Sequence, residues 1–420
     1  MDLFSEPLTP LIAATTVVAI ILAAIMTKSS SSKRILVVGS INVDLYQRLD
    51  KGGAKFGGKP LSITPIKGMT LPAKNFLETA KVKAEAKKAG LTCKAGGEEA
   101  LVLTMDGPFD QKTGGKGANA AAAAGQTFAC EFIGNMGATS AAENKSLLAD
   151  LKAYGNVDVK RSATLADTPT GTAYILLFDD NDNAILLIGG ANQVWPSAEE
   201  LKTGPGGASL RKAISESVCV MLQREVPPYV NVVTASLAHG MGVPVMMDVG
   251  GTDAPLDEGL MPYISVIAPN ESELAFCSGV AVDKIDAPHV RKAVAALKAK
   301  FAAKGNADVE VLVTLGGKGS CHFSAAWSAR HATANETRVG CFPLTTSDKK
   351  PKDTTGAGDC FRGSYVGARY GEGKSVLEAM TWAAAAGACS VEVEGAMPSM
   401  PTKKRIGKRL AMKMLPLPSF

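Results

Sequence analysis

The stretch DTTGAGDCFRGS, residues 353–364, places two glycines and an alanine directly before an aspartate at a predicted helix start. The first N–H groups of a helix are unpaired and carry partial positive charge, and small residues let an anion come close to them. Asp359 would stand beside that anion site, where a carboxylate can accept the proton of a hydroxyl that attacks a γ-phosphate. Asp359 would serve equally well as an ordinary N-cap. The stretch alone therefore leaves phosphoryl transfer and helix capping both open.

Aliphatic runs that end in glycine or polar residues recur along the chain, beginning with Ile35–Val38. Further runs are CEFIGNMG (130–137), VCVMLQRE (218–225), VPVMMDVG (243–250), ISVIAPNE (264–271) and VEVLVTLGGKG (309–319). Helices are predicted between them at 118–125, 227–240 and 287–305. Because buried strands alternate with helices, the fold class is α/β, with a mostly parallel sheet covered on both faces.

Two segments interrupt this alternation. GTAYILLFDDNDNAILLIGG (171–190) has two apolar runs around a polar turn at 179–183, which predicts a β-hairpin in a small sheet over the main domain. Residues 72–90 suggest a basic helix that ends at Gly90, but their apolar periodicity is weak. We expect that region to be an exposed insertion.

Composition narrows the functional classes. The chain has 420 residues, 46% hydrophobic and 20% charged, which suits one large or two smaller packed domains. Its net charge of +5 is too small to predict a nucleic-acid partner. Six basic residues lie in the tail, which we expect to be solvated; contact with a polyanion or membrane surface is the alternative. The eight cysteines form no C-x-x-C pair, as expected of reduced thiols in a reducing compartment.

The N-terminal leader, residues 1–32, contains the uncharged run LIAATTVVAIILAAIM (11–26). This run is slightly short for a bilayer span, and counting from residue 8 lengthens it. Asp2 and Glu6 argue against a signal peptide or a mitochondrial presequence. Lys28, Lys33 and Arg34 predict a cytoplasmic catalytic domain. A membrane anchor, a cleaved targeting segment for an organelle and a gene-model extension all remain open.

Polar residues follow the first strand and precede the alanine-rich helix. In GSINVDL (39–45), Asn42 and Asp44 come where ligands bind in open α/β sheets, and the alternative is an Asx turn. In TGGKGANAAAAAG (113–125), Lys116 and Asn119 offer the mixed donors and acceptors that a polyol needs. The spacing is not that of a phosphate-binding P-loop, and a glycine-rich turn before a packed helix would look the same.

Two further stretches follow later strands. In APNESE (268–273), Asn270 and Glu273 could reach Mg²⁺ directly or through water, and the alternative is a helix N-cap with acidic first-turn residues. TLGGKGS (314–320) is a glycine-rich turn that could lie along a nucleotide, although it is a weak signal alone.

In this order, the motifs N-x-D, GGKGAN, PNExE, TLGxKG and DTTGAGD resemble the ribokinase branch of the phosphofructokinase-B carbohydrate kinase family. The resemblance runs from about Lys33 to about Pro401. It implies a three-layer α/β/α domain with a small β-sheet lid, and ATP-dependent phosphorylation of D-ribose at its 5-hydroxyl to give ribose 5-phosphate. The implied organisation is a kinase domain at 33–401, lid pieces at about 44–73, 108–114 and 171–190, an insertion at about 74–110 and a basic tail at 402–420.

The resemblance also implies residue roles. Asp359 would be the base, with anion-hole amides from Gly356, Ala357 and Gly358. Besides Asp359, the sugar would be held by Asn42, Asp44, Gly115, Lys116, Asn119 and Glu225. The nucleotide site would be lined by Asn270, Thr314, Gly316, Gly319 and Gly358, and Asn270 and Glu273 would organise Mg²⁺. An activating K⁺ would be held by the side chains of Asp353 and Ser399 and the carbonyls of Thr355, Ser390 and Gly395.

Several features depart from the family. Ala384 stands where the family often has Asn or His near adenine, so nucleotide preference stays open. The lid often forms the dimer interface, and the insertion could add to or block a homodimer there. The alternatives to a ribose kinase are a kinase for another small sugar or a nucleoside, and a membrane-tethered sugar-binding protein with little catalysis. The retained Asp359 argues against the last, because a binding protein needs no base at an anion hole.

Overall fold

We describe the protein through a computed structural model. It describes residues 33–48, 55–56, 59–60, 70–72, 110–138, 141–177, 183–251, 254–282, 284–331 and 333–417. The leader, the hairpin turn and the predicted basic helix at 73–90 lie outside these residues, as does the insertion up to 109. Contacts divide the chain into Met1–Lys33 and Arg34–Phe420, and the elements below all belong to the second unit. Among the residues described, no helix has the length and apolar character needed to cross a bilayer.

The described strands and helices follow in chain order. The strands are β1 (Arg34–Val38), β2 (Asn42–Arg48), β3 (Lys55–Phe56), β4 (Lys59–Pro60), β5 (Thr70–Pro72), β6 (Asp110–Gly114), β7 (Cys130–Ile133), β8 (Asn135–Gly137), β9 (Val157–Asp158), β10 (Ala163–Leu165), β11 (Gly171–Leu177), β12 (Asn183–Ile188), β13 (Ser217–Leu222), β14 (Val245–Met247), β15 (Val266–Ile267), β16 (Glu310–Thr314), β17 (Ser320–Phe323) and β18 (Glu336–Val339). The helices are α1 (Lys116–Gly125), α2 (Ala141–Gly155), α3 (Ala198–Thr203), α4 (Pro205–Ser215), α5 (Pro228–Gly240), α6 (Glu271–Ser278), α7 (Ala287–Ala303), α8 (Ala357–Val366), α9 (Val376–Ser390) and α10 (Lys403–Leu410).

The main sheet has the strand order β18-β17-β16-β15-β14-β13-β1-β7-β9. All pairs from β16 to β9 are parallel, and the β16-β17 and β17-β18 pairs are antiparallel. Side chains alternate across β1, so that Ile35 and Val37 join the core under α1, α8 and α9. Leu36 and Val38 join the opposite core, under α4, α5 and α7. The predicted α/β/α layering is confirmed.

A second sheet of five strands has the order β5-β12-β11-β2-β6. It corresponds to the small sheet that the sequence predicts as a lid. The predicted hairpin is confirmed, because β11 and β12 pair antiparallel from Thr172 opposite Ile188 to Leu177 opposite Asn183. Strand β2 lies parallel to β11 and antiparallel to β6. Asn42 and Asp44 therefore lie in an extended strand of the small sheet, and the Asx turn that the sequence left open does not form.

The expectation of a solvated basic tail is confirmed for Lys403, Lys404, Lys408 and Lys413, which are exposed, but it is wrong for Arg409 of α10. Ile406 and Arg409 of this helix are buried, and Arg409 donates to the carboxylate of Glu392 at 2.7 Å. Burial opposes ionisation of Glu392, but hydrogen bonds from Arg409 and Thr345 lower its pKa to about 2. The tail packs against α9 because a buried carboxylate there requires a cation.

Candidate active site

A pocket of about 1360 Å³ opens where the carboxyl ends of the main-sheet strands meet the small sheet. It brings together most of the site residues predicted from the sequence: Asn42, Asp44, Gly115, Lys116, Asn119, Glu225, Asn270, Glu273, Thr314, Gly316, Gly319, Thr355, Gly356, Ala357, Gly358 and Asp359. The other members of the predicted cation set do not line it: Asp353, Ser390, Gly395 and Ser399. Residues from six sequence stretches thus converge on one cavity.

Helix α8 begins at the pocket with Asp359 in its first turn. Its N-cap is Gly356, whose φ of 74° is a left-handed conformation that favours glycine, and no side chain caps the helix. The capping alternative for Asp359 is therefore excluded. Ala357 donates its N–H to the Thr354 carbonyl at 3.1 Å. The N–H groups of Gly358 and Asp359 have no acceptor among the described residues, so they stay open to an anion.

The carboxylate of Asp359 is buried and held from two sides by α1. Asn119 donates from Nδ2 to Oδ2 at 2.9 Å, and Lys116 Nζ lies 3.4 Å from Oδ1. These two residues are three positions apart on α1 and so share a face. Burial raises the pKa of Asp359 despite the opposing effect of Lys116. Asp359 is thus a fixed carboxylate of increased basicity.

A chain of ion pairs leads away from Asp359. Lys116 Nζ lies 3.3 Å from Asp248, and Arg362 Nη1 donates to the same carboxylate oxygen at 3.1 Å. Arg362 also donates to Glu273 at 3.1 Å and to the Ala268 carbonyl at 2.8 Å. Burial disfavours the charge on Lys116, but Asp248 and Asp359 outweigh it and raise the Lys116 pKa. Both cations are therefore held in their charged forms.

Sequence reasoning missed Asp248 and Arg362. Asp248 directly follows strand β14 in VPVMMDVG, much as the predicted Asn42 and Asn270 come shortly after their own strands. Arg362 follows Asp359 by three residues on α8 and so lies on the same helix face. Both signals were present in the sequence, but neither residue belongs to the motifs that carried the resemblance.

The small sheet supplies the polar end of the pocket. Asp44 is 3% exposed, and its Oδ1 has no hydrogen-bond partner among the described residues. The Oδ1 of Asn119 is likewise buried with no described partner. Burial, together with the nearby charge of Glu225, raises the pKa of Asp44 well above its usual value. Two unpaired buried acceptors in a cavity indicate a ligand that donates hydrogen bonds.

Neighbouring contacts hold this polar end in place. Glu225 accepts from the Ser40 hydroxyl at 2.6 Å and from the Lys116 backbone N–H at 3.1 Å. Asn42 Oδ1 accepts from Asn192 Nδ2 at 2.7 Å. No role was predicted for Asn192, which follows the hairpin directly in GGAN (189–192). Gly115 starts α1 with φ 91°, and a Cβ there would lie 2.9 Å from the Asn42 backbone nitrogen. A glycine is therefore required where α1 meets β2.

The predicted magnesium residues form a capping box at the start of α6. Asn270 Oδ1 accepts from the Glu273 N–H, and Glu273 Oε2 accepts from the Asn270 N–H, each at 2.8 Å. Asn270 and Glu273 therefore form the helix N-cap that the sequence left open as the alternative to a magnesium site. Glu273 Oε1 lies beside Gly250, where it is free of the box. Within the described part of the chain, no three His, Cys, Asp or Glu side chains cluster as a metal site. The pair thus fits Mg²⁺ that keeps its waters and the phosphates as ligands.

The end of the pocket that the sequence predicts as the nucleotide site is mostly apolar. Asn270 and Thr314 form a bridge between neighbouring strands, and Gly316 and Gly319 follow in the turn after β16. Beyond them, the pocket is lined by Cys341, Phe342, Pro343, Leu344, Ala384, Gly387, Ala388, Val391 and Leu415. Ala384 is thus at the wall of the pocket but offers no polar group.

The predicted cation set lies around a buried carboxylate. Asp353 accepts from the Thr355 N–H and from the Gly395 N–H, each at 2.8 Å. Ser399 donates its hydroxyl to the Ala396 carbonyl, and Ser390 donates to the Gly387 carbonyl. Asp353 therefore ties the segment before α8 to the loop that follows α9.

Comparisons with known proteins agree with this fold. Residues 89–403 match the pfkB family carbohydrate kinases. A ribokinase from Arabidopsis thaliana is 35% identical over 302 residues, which cover 71% of this chain and 72% of that protein. A Haemophilus influenzae ribokinase is 30% identical over 69% of this chain and 85% of its own length. The structure of Arabidopsis thaliana ribokinase complexed with ribose and ATP superposes with a TM-score of 0.65 at 28% identity, covering 91% of this chain and all of that one. The chain belongs to the pfkB family of carbohydrate kinases.

Proposed function

We propose that the chain transfers the γ-phosphoryl group of ATP to the 5-hydroxyl of D-ribose, giving ribose 5-phosphate and ADP. The observation that carries this proposal is the buried Asp359 carboxylate, fixed by Asn119 beside the open N–H groups at the start of α8. The ribokinase names of the two similar proteins support the choice of sugar.

The polar end of the pocket would hold the sugar. The unpaired oxygens of Asp44 and Asn119 would accept hydrogen bonds from ribose hydroxyls, with Asn42, Gly115 and Glu225 around them. Asp359 would accept the 5-hydroxyl proton as the oxygen attacks the γ-phosphorus. The raised pKa of Asp359 makes it the better base, and Lys116 keeps it ionised until the proton arrives.

The start of α8 would stabilise the transferring group. Of the predicted anion-hole amides, Ala357 already donates to Thr354, so we assign the anion hole to the N–H groups of Gly356 and Gly358, with that of Asp359 beside them. The small Gly356 and Ala357 would let the phosphoryl oxygens come close, and the helix dipole adds to the attraction.

Two metal ions would assist the transfer. ATP of this family acts with Mg²⁺, which neutralises phosphate charge when bound, and Asn270 and Glu273 would hold its waters. Thr314, Gly316 and Gly319 would line the nucleotide beside it. K⁺ would bind around Asp353, with Thr355, Ser390, Gly395 and Ser399 as the other ligands, and would order the loop before α8. Replacing K⁺ by Na⁺ should lower kcat, and equal rates in K⁺, Na⁺ and Cs⁺ would remove this site from the account.

Three further hypotheses rest on the sequence. The kinase domain would span 33–401 and the leader would anchor it to a membrane through residues 8–26, with the catalytic domain in the cytoplasm. Recovery of the full chain only in the soluble fraction would argue against an anchor.

A homodimer would form through the small sheet, on which Ile188 is 42% exposed. Light scattering of a monomer at micromolar concentration would argue against the dimer.

The substrate is tested with the full chain in a coupled ADP-release assay with ribose, 2-deoxyribose, fructose and adenosine. Ribose should give the highest kcat/KM, because a sugar that lacks a hydroxyl leaves a buried acceptor unpaired. Asp167→Asn, an exposed carboxylate change, is the control and should not alter the ranking. A higher kcat/KM with deoxyribose or adenosine than with ribose would show that ribose is not the preferred substrate. No sugar-dependent ADP release would contradict the kinase proposal and favour a binding protein.

A further inference from the structure

The chain continues past α10 and returns to the nucleotide end of the pocket. Residues 411–415, AMKML, here called the C-terminal segment, follow α10 directly. The N–H of Leu415 donates to the Cys341 carbonyl at 2.9 Å, just after β18. Leu415 lines the same pocket as Thr314 and Gly316, although it is 46% exposed in the structure. An apolar side chain is thus held open to solvent at the pocket wall.

Several contacts fix the C-terminal segment in this position. Arg409 pairs with Glu392 and donates to the Pro343 carbonyl, so α10 is tied to the pocket loop itself. Met412 and Met414 pack against the core. At Gly340, a Cβ would lie 2.9 Å from the Leu415 carbonyl oxygen. The absence of a side chain at position 340 therefore lets the segment approach the loop.

The wall beside Leu415 is suited to a flat apolar group. The pocket is also lined by Phe342 and Leu344 and by Ala384 and Ala388 of α9. Asp44, Lys116 and Glu225 lie with Asp359 at the other end, whereas two charged residues, Glu271 beside Gly316 and Lys349, line the rest of the pocket. A purine buries its faces against apolar side chains, whereas phosphates require the open N–H groups of α8.

We propose that Leu415 packs against the base of the bound nucleotide, so that the C-terminal segment forms the outer wall of the nucleotide site. This inference rests on the proposed function, because it places ATP with its phosphates at α8. The contact is apolar, so it contributes equally to the binding of ATP and GTP. Burying about half of a leucine side chain corresponds to roughly a three- to tenfold gain in affinity.

The test compares two leucines near the end of the chain. ADP and GDP binding to the full chain is measured by titration calorimetry, and KM is measured for ATP and for ribose. Leu415→Ala should weaken both nucleotides about three- to tenfold and raise KM for ATP, with KM for ribose unchanged. Leu417→Ala, a change at a leucine that is 52% exposed and does not line the pocket, should alter neither.

A second variant reaches the same wall by another route. Gly340→Ala should displace the Leu415 backbone and weaken ADP as Leu415→Ala does. ADP affinity in Leu415→Ala equal to that of the unsubstituted chain would overturn this inference alone. An equal loss in Leu417→Ala would also overturn it, since the effect would then not be local. No ADP binding by the unsubstituted chain would overturn the proposed function as well.

Discussion

Replacing Gly358 with alanine would put a methyl group at the opening of the anion hole. A Cβ at this position would lie 2.8 Å from Nη1 of Arg362, whereas ordinary contact begins at 3.4 Å. Arg362 cannot easily retreat, because three hydrogen bonds of 2.8, 3.1 and 3.1 Å hold its guanidinium. The substitution therefore strains the Arg362 network and narrows access to the N–H groups of Gly358 and Asp359.

The effects on stability and on rate should differ greatly. Weakening one hydrogen bond to a charged group costs about 1.5–3 kcal/mol, and alanine in a helix regains about 1 kcal/mol over glycine. The free energy of unfolding of Gly358→Ala should therefore fall by about 0.5–2 kcal/mol. Alanine keeps its N–H group, so the effect on rate comes from keeping the anion away from these donors, and failure to engage one donor typically lowers kcat about 10²–10³-fold. We expect kcat to fall by that factor in a protein that stays folded.

The measurement is kcat by coupled ADP release at saturating ribose and ATP, with urea unfolding of the same samples. Gly407→Ala in α10 is the matched control, since nothing lies within 4 Å of its added Cβ. It should unfold at a slightly higher urea concentration and keep kcat within about twofold. A kcat for Gly358→Ala within about threefold of the unsubstituted chain would refute the anion hole at this position.

Two further changes test the charges of the pocket. Burial raises the pKa of Asp44 in the folded protein. The stability that Asp44 contributes is therefore fully present below its ordinary pKa and is lost as the pH rises through its pKa in the folded state. Asp44→Asn should accordingly increase the free energy of unfolding in urea, and by more at pH 8 than at pH 5. An equal effect at both pH values would contradict that burial. Arg362→Met should lower the free energy of unfolding by about 3–5 kcal/mol, because Asp248 and Glu273 lose a shared cation. A similar loss in the exposed control Arg330→Met would count against this explanation.

Much of the fold could be predicted because its signals are local. A continuous aliphatic run followed by glycine or a polar residue predicted each central strand, and the polar turn within 171–190 predicted the hairpin. The convergence of Asn42 and Asn270 could also be anticipated, because polar residues that follow parallel strands meet at one sheet edge.

The rest depends on contacts between distant parts of the sequence. Lys116 and Asp248 are 132 residues apart, and Asp248 and Arg362 are 114 apart, so no local pattern pairs them. The buried position of Arg409 needed its distant partner Glu392. At Asn270 and Glu273 the local pattern itself was ambiguous, because the residues that suit magnesium also form a capping box.

The central claim, that Asp359 takes the proton of the sugar hydroxyl, is tested most directly by Asp359→Asn. The amide keeps the shape of the carboxylate and can still contact Asn119, so ribose affinity by calorimetry should stay within a few-fold. The kcat for ribose should fall about 10²–10⁴-fold, since a general base is lost. A kcat within tenfold of the unsubstituted chain, with ribose bound normally, would contradict the account.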